Sequence, residues 1–195
     1  MSPEQLLTWI PLVPLLAAFG VVAARANPNL REAVSIGAGV ILFLLVAVLA
    51  ATIDWETPPT LVIATPVAGL SLALTPEPLG MLFALVASLL WPITTVYAVG
   101  YMRAHHEQNQ TRFYTAFAVS IAAAMCIALA GNMFTLFVFY EVLSVSTYPL
   151  VTHAGTDKAK RAGRVYLGLL MGTSIGFLLL AMIWTWSLTG TLDFT

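Results

Sequence analysis

Cysteine and histidine are nearly absent from this chain: Cys126 stands alone, and three histidines occur in 195 residues. A single cysteine excludes an internal disulfide and a thiolate metal cluster. No histidine falls within a long apolar run, which excludes a membrane haem held by paired imidazoles. Charge is scarce too. Asp, Glu, Lys and Arg make up 9% of the residues, the net charge is -1 and no basic block occurs, so no nucleic-acid surface is expected. A phosphate-cradling glycine loop and a nucleophile–base constellation are both missing, so no cofactor is expected and intrinsic redox or hydrolytic chemistry is not. Low-complexity tracts and short-period repeats are missing as well, which argues for one domain over 1–195.

What the chain has is apolar residues. They account for 59% of it, with a mean hydropathy of +0.91, beyond what a water-facing domain sustains. Apolar runs near 6–24, 33–53, 79–101, 112–130, 132–152 and 165–188 each approach the ~18–20 residues that cross ~30 Å of hydrocarbon as a helix. The runs are continuous rather than alternating, which excludes a membrane β-barrel. The opening Met-Ser-Pro-Glu lacks the basic flank of a cleavable signal, so the first run is expected to stay as an anchor. Between the second and third runs, residues 58–78 are broken by Pro58, Pro59, Pro66, Gly69, Pro76 and Pro78. Leu61–Ala64 and Leu70–Leu74 read as short strands there, giving an extramembrane β-hairpin. The expected fold is an all-α membrane protein, a six-helix transmembrane bundle with that hairpin.

Charge bias tests this count. Arg25, Arg31, Arg103, Arg112, Lys158, Lys160, Arg161 and Arg164 all fall between runs one and two, three and four, or five and six. Basic residues collect in cytoplasmic loops, so the amino terminus and the hairpin are expected outside, in the inner membrane of a bacterial or archaeal cell. Small residues mark packing faces: Gly168, Gly172 and Gly176 on the sixth run, and Ala118 and Ala122 on the fourth, repeat every four residues and allow close helix approach. Pro92 cannot donate to the Ser88 carbonyl, so a kink is expected in the third run.

Eight of the nine acidic residues read as loop or terminal residues, whereas Glu141 stands near the middle of the fifth run. A charge at that depth costs ~2.5–3.5 kcal/mol on insertion scales, so it needs a partner, a water cavity or a proton. At about 100° per residue, Ser144 and Tyr148 lie within about 60° of Glu141, which places a carboxyl, a hydroxyl and a phenol on one stripe. Such a stripe suits a proton relay; structural hydrogen bonding is the plainer alternative. His153, at the end of the same run, would serve the helix dipole or pass protons to bulk water. His105, His106 and Glu107 read as a solvated loop, not a metal site, because adjacent residues do not converge on one point. No basic residue reads as membrane-embedded, so a cation for Glu141 would come from outside this chain. At ~4 Å and an effective dielectric of ~20 it would contribute ~4 kcal/mol, enough to decide whether the carboxyl keeps its proton.

The run Gly131-Asn132-Met133-Phe134-Thr135-Leu136-Phe137-Val138-Phe139-Tyr140-Glu141, continued by Ser146-Thr147-Tyr148-Pro149-Leu150-Val151-Thr152-His153, resembles the antiporter-like membrane subunits of respiratory complex I, Mrp cation/proton antiporters and membrane-bound hydrogenases. Trp91-Pro92, Tyr101-Met102-Arg103 and Gln110-Thr111-Arg112-Phe113-Tyr114 extend the likeness over most of 76–195. Around Tyr148-Pro149 it is similar to the D-type subunit of the Mrp antiporters in particular. The resemblance implies two inverted five-helix repeats, with Glu141 as the fifth-helix glutamate that pairs with a lysine of a broken seventh helix. This sequence stops after the sixth run, so the lysine and second repeat are expected from a further chain or a continuation, and the first repeat begins here without being completed. The implied function is a proton-translocating subunit or its N-terminal portion, carrying protons with or without sodium. Any redox chemistry, as in an NADH-quinone oxidoreductase or hydrogenase, would lie in other membrane-complex partners. The alternative is an assembly subunit without ion conduction of its own.

Overall fold

The computed structural model describes residues 2–67 and 69–194. It is mainly helical, with six helical rods long and apolar enough to span a membrane. They are α1 (Pro3–Ala23), α2 (Pro28–Thr52), α3 (Pro78–Ala104), α4 (Gln110–Ala128), α5 (Met133–Val151) and a sixth rod. That sixth rod comprises α6 (Asp157–Thr173), a π-helical stretch over Ser174–Leu179, and α7 (Leu180–Thr189).

Local signals set the helix starts. Ser2 caps α1 through a reciprocal box with Gln5, while Asn27, Asn132 and Thr156 accept from the backbone N–H groups of Leu30, Thr135 and Ala159. Two starts lie earlier than hydropathy places them. The second rod begins at Pro28 and the sixth at Asp157, because a capping side chain followed by Pro or Asp starts a helix even where the first turns are polar. The loop assignments for the basic residues are corrected accordingly: Arg25 alone lies outside a helix, Arg31, Arg103, Arg112, Lys158 and Lys160 occupy terminal turns, and Arg161 and Arg164 lie in the second and third turns of α6. They still gather at one end of the bundle.

Helices α1 to α4 bury a shared core that includes Leu7, Ile10, Leu42, Leu49, Trp91 and Met125. Ala118 lies in that core, and Ala122 is buried as well. Helix α3 remains continuous through Pro92, whose ring packs on Gly39; a methyl at Gly39 would come within 3.0 Å of Pro92 Cδ. Gly80 allows α3 to meet the end of α4, since a methyl there would overlap the Ala128 carbonyl oxygen. Gly168, Gly172 and Gly176, by contrast, have nothing within 4 Å of where a side chain would begin, so that face is open in this chain.

The hairpin forms, with its first strand running three residues past Ala64 and through Pro66. β1 (Leu61–Val67) pairs antiparallel with β2 (Leu70–Leu74), with Leu61 opposite Leu74. Ahead of it, the Asp54 carboxyl is held below its ordinary range by the Glu56 N–H and Thr57 hydroxyl, which donate to its ionised form. The hairpin also pins the α4–α5 corner. Gly131 N donates to Ala73 O at 2.9 Å, Asn132 Nδ2 to Ser71 O at 2.9 Å, and Ala73 N to Thr135 Oγ1 at 2.9 Å. The end of the described chain adds bonds from the other side, from Met133 N to Leu192 O at 2.9 Å and from Phe194 N to Gly131 O at 3.3 Å. These bonds fix the height at which α5 enters.

Candidate functional site

Glu141 lies about two turns into α5, beside α4. Its residue is partly exposed, yet both carboxylate oxygens are inaccessible and neither has a hydrogen-bond partner among the described residues. Among the described residues no salt bridge involves it. A buried carboxyl with neither donor nor cation is an expensive arrangement, tolerated when a proton or an outside cation completes it. Beside it runs a cavity of about 450 Å³ walled by Val119, Val142, Val145 and Ser146.

The stripe expected around Glu141 is only partly assembled. Ser144 is buried at 4% exposure, and its carbonyl accepts the Thr147 hydroxyl. Tyr148 turns toward α6, where its ring lies 3.1 Å from the point at which a Gly163 side chain would begin. No hydrogen bond joins either residue to Glu141 among the described residues. Helical spacing places residues on a face, but neighbouring helices decide what each side chain meets: α6 captures Tyr148. The polar contact made on the α4 side is instead Ser120 Oγ to Ser146 Oγ, 2.9 Å apart.

His153 packs edge-on against Phe113, with ring centroids 5.5 Å apart, and its Nε2 lies 3.7 Å from Glu107 Oε2. His105 stacks on Tyr101 and bonds that residue's carbonyl at 2.9 Å, so the loop histidines do not converge. Among the described residues no group of three or more His, Cys, Asp or Glu could hold a metal.

A second charged site escapes a reading by hydropathy. Arg31 and Glu32, which read as loop residues, are buried in α2 at 5% and 4% exposure. Arg103 forks onto Glu32, with Nε 3.2 Å from Oε1 and Nη2 on Oε2, and also donates to Asn29 Oδ1 at 2.6 Å. Arg31 Nη2 lies 3.5 Å from Glu32 Oε1, its two Nη groups donate to Thr111 and Gln110, and its guanidinium sits 5.3 Å from the Tyr114 ring centre. The cluster ties α2, α3 and α4 together at the basic end. Asn27-Pro28 signals the helix start that places Arg31 and Glu32 inside it.

With this geometry in place, similarity to known proteins becomes informative. Residues 130–195 match the family described as NADH:quinone oxidoreductase/Mrp antiporter, TM. The matched stretch contains α5, Glu141 and the whole sixth rod. Individual relatives cover more of the chain. It is 24% identical over 183 residues to the D-type subunit of the Na(+)/H(+) antiporter of Alkalihalophilus pseudofirmus, an alignment covering 93% of this chain and 36% of that protein. It is 29% identical over 93 residues to the N-type subunit of the NADH-quinone oxidoreductase of Campylobacter jejuni, covering 48% of this chain and 20% of the relative. A solved chain in the membrane-bound sulfane sulfur reductase, an archaeal respiratory membrane complex, has the same fold. Its TM-score is 0.78 at 22% identity, over 97% of this chain and 38% of that one. The chain thus spans between a fifth and two fifths of the length of these relatives. It is a multi-pass membrane protein, and its residues 130–195 carry the similarity to that family.

Proposed function

We propose that this chain is a membrane subunit, or the N-terminal portion of one, in a proton-translocating complex, with Glu141 as its intramembrane proton-binding carboxylate. The observation that supports this reading is that both Glu141 oxygens are buried and unpartnered. A cation brought up to that carboxyl is the partner this reading requires. That cation is a lysine carried by a partner chain or by continued sequence. Ser144, Tyr148 and His153 are its companions on the path toward the basic end. Protons are the primary ion, with sodium as an additional candidate. The basic end faces the cytoplasm and the hairpin the outside of an inner membrane, in keeping with the distribution of arginine and lysine.

The test is Glu141→Gln in the assembled complex. Proton or sodium movement is expected to fall about a hundredfold, the scale of a lost proton-transfer group, while the complex stays intact on blue-native electrophoresis. Undiminished transport overturns the proposal. A second reading, an assembly subunit without conduction, draws on the open face of Gly168, Gly172 and Gly176. It expects the variant complex to fall apart instead.

A further inference from the structure

The cavity beside Glu141 continues toward the basic end. A second cavity of about 580 Å³ shares Val119, Val145 and Ser146 with it, so the two form one groove along the seam of α1, α4 and α5. At its mouth stand Arg25 and Arg112, both exposed, and no acidic residue lines it there. Arg112 Nη2 donates to the His153 carbonyl at 3.1 Å, which holds that guanidinium against the α5 end of the groove. Asn109 supplies no side-chain cap to α4, so the first-turn N–H groups near Thr111 and Arg112 add positive potential at the same place.

Below the mouth the walls are apolar: Val22, Ala116, Val119, Val145 and Pro149, then Val142 beside Glu141. Thr115 interrupts them near the top, and its Oγ1 is buried without a partner. From Thr111 to Val119, and from Pro149 back to Glu141, each wall runs about 12 Å along its helix. That is slightly less than the ~15 Å of hydrocarbon in one leaflet. A doubly cationic mouth over an apolar trough one leaflet deep complements a phosphate with one acyl chain beneath it. A column of water would find few polar groups on these walls.

We propose that this groove binds an anionic phospholipid. Its phosphate sits between Arg25 and Arg112, the Thr115 hydroxyl donates to a glycerol ester oxygen, and one acyl chain runs past Val119 and Val145 to Val142. The acyl chain closes the flank of α5 on which Glu141 lies. The inference stands whether or not Glu141 carries protons, because it rests on the groove and its mouth.

Photoactivatable phosphatidylglycerol with a diazirine at the acyl terminus tests it, in lipid nanodiscs holding the protein in its complex, against a phosphatidylcholine probe with the same tail. Phosphatidylglycerol is expected to label peptides containing Val119, Val142 and Val145 well above phosphatidylcholine. Arg25→Gln and Arg112→Gln are each expected to cut that preference about fivefold. Val145→Trp, which fills the trough and leaves both arginines in place, is expected to abolish labelling at Val119. Equal labelling by the two headgroups, or labelling indifferent to the arginine variants or to the tryptophan, overturns the proposal. So does the absence of labelling at Val119, Val142 and Val145 by either probe, the result if a polypeptide fills the groove. Both arginines are exposed, so their variants carry the test even if Val145→Trp misfolds.

Discussion

The four-helix portion α1–α4 and the portion α5–α7 are built on different terms. In the most apolar stretch of α4, 44% of residues are buried, against 11% in α5 and 11% in the sixth rod. The first portion has a core of its own and an ionic clamp at its basic end. The second leaves wide faces exposed, above all on its sixth rod, including Phe177 at 76% and Trp184 at 70%. In water such faces would drive collapse, whereas hydrocarbon is as apolar as leucine and leaves them at little cost. Openness in a membrane helix is therefore no defect, and a buried charge is better evidence of function there than a bare face.

Four substitutions would break or sharpen that contrast. Glu32→Ala leaves Arg31 buried without its carboxylate and should destabilise the α1–α4 portion by about 3–5 kcal/mol, read as a fall in denaturation midpoint in mild detergent. A midpoint within error of the parent would show that the clamp is not structural. Gly80→Ala forces α3 off the end of α4 and should cost about 1–3 kcal/mol in the same assay. Ser146→Ala removes one half of the hydroxyl pair at the seam between the portions and should cost about 1 kcal/mol. A larger loss would mean that α5 depends on α4 more than its low burial suggests. Gly168→Ala, with open space beside it, should change the isolated chain by less than about 0.5 kcal/mol. Equal losses from the two glycine variants would erase the distinction between the portions.

Much of this arrangement is legible in the sequence, for identifiable reasons. Six spans follow from uninterrupted apolar runs, and the hairpin follows from clustered proline and glycine, because both signals are local. The polar openings of α2 and α6 are harder to read, since hydropathy averages across a helix start that Asn27-Pro28 and Thr156-Asp157 mark chemically. That averaging is why Glu32 reads as a loop residue. The π-helical widening at Ser174–Leu179 leaves no comparable local mark. At the candidate site, Glu141 is conspicuous as a lone charge in a long apolar run. Its surroundings are set between helices, and no spacing within α5 foretells that Ser146 meets Ser120 while Tyr148 meets Gly163.

The corner at Gly131 has a mechanical consequence. Backbone strands grip it from two directions, Ala73 on one side and Leu192 to Phe194 on the other, and the Asn132 and Thr135 side chains lock into the hairpin. A vertical slip of α5 by one residue would tear these bonds together. The helix is thus a stator rather than a piston, and Glu141 keeps its altitude.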